Sequence, residues 1–119
     1  MLLVVVGEHF DQSERMLVEL TNITPKGNTD ITSARERAEE LIDSNRLYRR
    51  TALNRGEEDV ATLLDELEPV LIQIAHAPSQ VSEEELRAMQ KRVETKGLVF
   101  KLRVVRADVK RTAGTPTNI

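Results

Sequence analysis

The 119 residues carry 17 Lys and Arg against 20 Asp and Glu, a formal net charge of −3, so the chain as a whole does not attract nucleic acid or anionic lipid. There is no cysteine, which excludes disulfides, cysteine-ligated zinc and cysteine nucleophiles. Aromatic residues make up only 3%, so the core is left to Leu, Val, Ile and Ala, the composition of one helical domain rather than of a sandwich or barrel.

Four helical segments follow one another. In the first, Leu3, Val6, Phe10, Leu17 and Leu20 recur at spacings of three and four, with Ser13 in the missing position. Gly7 interrupts it at a cost of up to ~1 kcal/mol relative to Ala, and Pro25-Lys26-Gly27-Asn28 reads as a loop. The second opens on Ser33 and Glu36 in capping-box spacing. Its stripe is Ala34, Ala38, Leu41, Asn45, Tyr48 and Ala52, and Asn54-Arg55-Gly56 closes it. The third, about Glu57 to His76, carries Val60, Leu63, Leu64, Leu67, Leu71 and Ile74. Pro69 inside it predicts a kink near Asp65–Glu68, while the unbroken phase of the stripe argues against a full break. The fourth starts with a second capping box, Ser82 and Glu85, stapled by Val81 and Leu86. Leu86, Met89, Val93, Gly97, Phe100 and Val104 then form one stripe, and a helix continuous to Arg111 would be roughly 43 Å long.

Acidic residues open the second and fourth segments and basic residues close them, the order the helix dipole prefers. The expected fold is therefore all-α: an antiparallel up-down-up-down four-helix bundle with a long C-terminal helix, a bundle domain over 1–111 and a polar tail over 112–119.

The chain ends are unusually apolar. Leu2–Val6 and Leu98–Val105 are rich in β-branched residues, yet an isolated two-stranded ribbon is marginal and the helical stripes run into both stretches in phase, so helix is the expectation. In an antiparallel bundle the two would share one end of the molecule, near a partner or a membrane. A second stripe, Leu98, Leu102, Val105 and Val109, with Leu2 and Val5 as its counterpart, reads as a homodimer seam or a docking surface for another protein. The plainer alternative is that loops, tail or bundle twist cover it.

Catalytic constellations do not stand out. A carboxylate-bridged metal site needs paired Glu-x-x-His units; His9 and His76 lack them and read as surface or boundary residues, so no metal or cofactor is expected. Ser13, Ser44 and Thr51 have no histidine placed beside them by the pattern. Ser13 reads as bonding back to a carbonyl one turn earlier, and Asn45 as a buried amide that fixes register. Phosphate-loop and dinucleotide fingerprints are missing. The basic stretch Lys91–Arg111 is interleaved with hydrophobics and matched by acidic residues of the third segment, which makes nucleic acid the lesser reading. No apolar run approaches a bilayer span or a signal peptide, so a complete chain would be cytoplasmic.

The stretches LLVVVGEHFDQSERMLVEL, RAEELIDSNRLYRRTA, VATLLDELEPVLIQIA and ETKGLVFKLRVV resemble the C-terminal region of bacterial anti-sigma-factor-like proteins of the zinc-finger type, notably those of acidobacteria. The resemblance implies a soluble segment following a membrane helix, hence an extracytoplasmic position. The zinc module and the membrane helix of that family are absent from these residues. The resulting expectation is a non-enzymatic protein-interaction or sensory domain, associating with itself or another protein. The alternative is a stand-alone cytoplasmic adaptor or transcriptional regulator that binds DNA or protein through its fourth helix.

Overall fold

The computed structural model describes the backbone of residues 2–114 and the side chains of residues 4–108. It is all-α apart from one small ribbon: α1 (Leu2–Asn22), β1 (Thr29–Asp30), α2 (Thr32–Asn54), α3 (Glu58–His76), β2 (Gln80–Val81), α4 (Glu83–Lys96) and α5 (Leu98–Gly114). Both apolar chain ends are helical, as their periodicity predicts.

The helices assemble in antiparallel neighbours along a body of 57 × 22 × 21 Å. α2 and α3 pack along most of their length and are tied by Arg46–Glu68 at 3.1 Å and Arg49–Asp65 at 3.0 Å. Arg55-Gly56-Glu57 turns the chain between them, with Gly56 in the left-handed region at φ 74°. α1 packs chiefly against α5 and then against α2. Phe10, Leu17, Leu20, Leu64, Leu67, Leu71, Leu86 and Leu98 are fully buried where these helices meet. At ~1.5–3 kcal/mol per buried side chain this mostly aliphatic set, with Phe10 its one aromatic member, dominates the folding energy.

At one end, β1 pairs antiparallel with β2, Thr29 opposite Val81 and Asp30 opposite Gln80, and Ile31 N donates to Ser79 O at 2.7 Å. Buried Ile31 and Val81 anchor this ribbon to the core, which stabilises a pairing too short to persist in water. The C-terminus of α1 has no glycine cap. Instead Gln90 of α4 donates through Nε2 to the carbonyls of Leu20 (3.0 Å) and Ile23 (2.8 Å), supplying partners to a helix end that otherwise lacks them.

Several local expectations hold and others do not. Ser82 and Glu85 form both bonds of a capping box, and α3 continues through Pro69. The Ser33–Glu36 box does not form: α2 begins one residue earlier at Thr32, whose N–H donates to Asp30 Oδ1 at 2.8 Å, so Asp30 does the work expected of Ser33. The fourth segment is not one helix. Gly97 sits at φ 62°, ψ 30°, and its N–H bonds to Glu94 O, closing α4 and letting α5 start in a new direction. α5 reaches Gly114, so residues 112–114 belong to a helix rather than to a tail; 115–119 lie outside the described residues.

The two apolar ends do not share a level. Arg106 meets Asp11 and Glu14, and Arg103 meets Glu14, while Val99 and Phe100 lie beside Val18 and Thr21. Leu98–Val105 therefore runs along the second half of α1. From Val6 to Asp11, beside which the second run ends, is roughly 8 Å at the helical rise, so the two runs are staggered along α1 rather than level.

Candidate interaction surface

Gly97 decides which side of α5 faces water. A continuous helix would carry the buried stripe Leu86, Met89, Val93 on to Phe100 and Val104. The left-handed residue resets the phase, so Leu98 and Leu102 become core residues, each 0% exposed, and Phe100 and Val104 turn outward at 71% and 44% exposed. The expected partner-contact set is corrected accordingly. Leu98 and Leu102 are spent inside the chain, Val105 and Val5 are half-buried, and the side chains of Leu2 and Val109 lie outside the described residues.

The face presented to solvent is Phe100, Val104 and Ala107, all exposed and spaced four and three apart. At 3.6 residues per turn they span about 60° of the helix circumference, on the side away from Leu98 and Leu102. One signal in the sequence foretells the swap: a glycine after Lys96, the pattern of a helix C-terminus. Phe100 also borders a groove of about 470 Å³ between α1 and the α4–α5 corner, shared with Val18, Thr21, Val93, Val99 and Arg103. Among the described residues the other exposed large apolar side chains, Val4, Leu47 and Leu53, are scattered over α1 and α2.

The described cations of α5 reach sideways to acidic residues of α1 and α3. Arg103 Nε lies 2.6 Å from Glu14 Oε2, Arg106 lies 2.7 Å from Asp11 and 2.8 Å from Glu14, and Lys101 lies 3.0 Å from Glu66. The exposed Lys101–Glu66 pair contributes little to stability, whereas Arg103 and Arg106 compensate a carboxylate, Glu14, that is buried. The significance of these pairs is that three of the basic side chains expected to serve a DNA-binding helix, Lys101, Arg103 and Arg106, are paired within the chain and flank the apolar outer face.

A second constellation is internal. His9 is buried, not a boundary residue, and its Nε2 lies 2.8 Å from Asn45 Oδ1. The Asn45 amide donates to Leu64 O at 2.8 Å, so its oxygen faces His9 and the imidazole must carry its proton on Nε2. The ring of His9 also stands edge-on to Tyr48 at 5.3 Å. Asn45 thus joins α1, α2 and α3 in one register, as its place on the stripe predicts. Burial lowers the pKa of His9 below the usual 6.5, with the Asn45 bond opposing more weakly. Ser13, one turn along α1, is buried with its hydroxyl unpaired rather than bonded to a carbonyl. His76 is exposed.

Among the described residues no group of three or more His, Asp or Glu is placed to hold a metal ion, and no helix is long and apolar enough to cross a membrane. Compared with known proteins, the chain matches no family model, no curated protein and no solved structure.

Proposed function

We propose that this chain is a non-enzymatic protein-interaction domain whose binding element is the outer face of α5. The observation that carries the reading is Phe100, a large aromatic side chain 71% exposed and aligned with Val104 and Ala107 on a helix whose opposite side is already buried. Aromatic anchors of this kind supply most of the binding energy where proteins meet, and aligned apolar exposure costs solubility unless something covers it.

A scaffolding arrangement fits this use. We read the helices as an up-down-up-down bundle in four positions, α4 and α5 sharing the fourth. Such a body holds α5 rigidly while leaving one side free. The internal polar group fits a structural rather than a chemical role, because the Nε2 proton of His9 is spent on Asn45 and both residues are closed off from solvent. A membrane-attached regulator of the anti-sigma type is one setting in which a binding domain of this kind would serve; the proposal itself rests on α5.

The test is site-specific photocrosslinking in the cell that makes the protein. A benzophenone side chain placed at Phe100 or Val104 is expected to give a discrete covalent adduct with a protein, while one at exposed Glu84 gives none. If positions 100 and 104 yield no more adduct than position 84, the reading is wrong.

A further inference from the structure

We infer that the occupant of this face is a second copy of the same chain, with the two α5 helices packed antiparallel about a two-fold axis beside Val104. The inference rests on the interaction reading above and adds partner, polarity and register to it.

A two-fold contact must be complementary to itself, because each side chain meets whatever the same surface offers after rotation. An antiparallel crossing about Val104 brings together positions whose numbers sum to about 208 on the described helix. Phe100 then faces the second copy's Ala107, and Val104 faces its own counterpart. The largest side chain of the stripe lands on the smallest, the alternation that fills a helix interface without voids. A parallel two-fold would instead stack Phe100 on Phe100 and leave Ala107 opposite Ala107 with a gap.

Charge selects the same polarity. Lys101 and Asp108 lie on one flank of the stripe, almost two turns apart, and both are exposed. In the antiparallel register each Lys101 comes beside the other copy's Asp108. In the parallel register like charges would meet. Lys101 already pairs with Glu66, and Asp108 also has an interaction within its own chain, so the cross-copy contact acts on orientation more than on strength. On the opposite flank stands Arg103, whose charge is answered by buried Glu14, so its approach to the second copy's Arg103 is softened.

The absence of cysteine makes the geometry directly measurable. Single variants Val104→Cys, Lys101→Cys and Asp108→Cys of the full chain are oxidised under dilute conditions, alone and in isotopically distinguished mixtures. The expected result is a disulfide-linked dimer from Val104→Cys alone and a mixed dimer from Lys101→Cys with Asp108→Cys, each formed at least ten times faster than Lys101→Cys with itself. Because substitution at 104 also alters the contact, light scattering of the unmodified chain accompanies it and is expected to give the dimer mass. Self-linking of Lys101→Cys as fast as that of Val104→Cys would overturn the antiparallel register. A chain that stays monomeric at millimolar concentration would overturn self-association altogether. In either case an adduct from Phe100 to a different protein would leave the interaction reading standing, whereas no adduct at all removes both.

Discussion

Replacing Asn45 by alanine removes two hydrogen bonds from the interior, the one accepted from His9 Nε2 and the one donated to Leu64 O, each 2.8 Å long. A net bond contributes about 1 kcal/mol, and a buried donor left without a partner costs a further 1–3 kcal/mol. His9 cannot turn its N–H to water, because it is only 4% exposed. The expected loss for Asn45→Ala is therefore about 3–5 kcal/mol, or roughly 12–20 °C in melting temperature for a domain of this size. Chemical denaturation followed by circular dichroism measures it. A double-mutant cycle with His9→Phe separates the pair from general cavity effects, with an expected coupling of about 1 kcal/mol or more. A loss below about 0.5 kcal/mol for Asn45→Ala, or additive single variants, would refute the view that this relay ties α1 to α2 and α3.

The same relay makes stability depend on pH. Burial holds the folded pKa of His9 below 6.5, so as pH falls through 6.5 the unfolded chain binds a proton that the folded chain refuses. Stability present above pH 6.5 is then lost on acidification, with a slope of at most about 1.4 kcal/mol per pH unit for one proton. Asp30, Glu83 and Glu85, whose pKa values are also lowered, add to the loss only as pH falls through and below the ordinary carboxylate range, so denaturation midpoints between pH 7 and 5 isolate His9; His9→Phe is expected to flatten them. Gly97→Ala places a side chain at φ 62° where no neighbouring atom lies within 4 Å, so backbone strain acts without a clash, and thermal denaturation is expected to show a loss of about 1 kcal/mol. Ser13→Ala removes a buried hydroxyl with no partner and is expected to leave stability unchanged or raise it by up to about 1 kcal/mol, read from the urea midpoint.

Much of the fold is written in local patterns. The stripes on α1 (from Val6 on), α2 and α3, the Ser82–Glu85 box and the stop at Gly56 depend on residues within a turn or two of one another, and each is found where its pattern places it. The features that periodicity does not disclose depend on distant partners. Gln90 caps carbonyls some seventy positions away, and Thr29–Asp30 pairs with Gln80–Val81 across the two intervening helices α2 and α3. α2 starts at Thr32 rather than after Ser33, with the Thr32 amide held by the Asp30 carboxylate two residues before it. The outer face of α5 is legible only in part. Two apolar stripes on the last segment are evident from composition, but their assignment to core and surface turns on the backbone angle of one residue. Gly97 occupies a stripe position that a continuous helix would tolerate, and its left-handed conformation exchanges Phe100 and Val104 for Leu98 and Leu102. Ala107 carries no signal of its own, because an alanine on a helix is uninformative until its neighbours are placed.

The exchange of faces at Gly97 is most directly read from thiol-labelling rates of four single-cysteine variants, Leu98→Cys, Phe100→Cys, Leu102→Cys and Val104→Cys, in dilute native solution. Positions 100 and 104 are expected to label near the rate of the unfolded chain, and positions 98 and 102 at least a hundredfold more slowly. Fast labelling at 98 and 102 with protection at 100 and 104 would mean that the helix runs straight through Gly97 and that the outward face described for α5 does not exist.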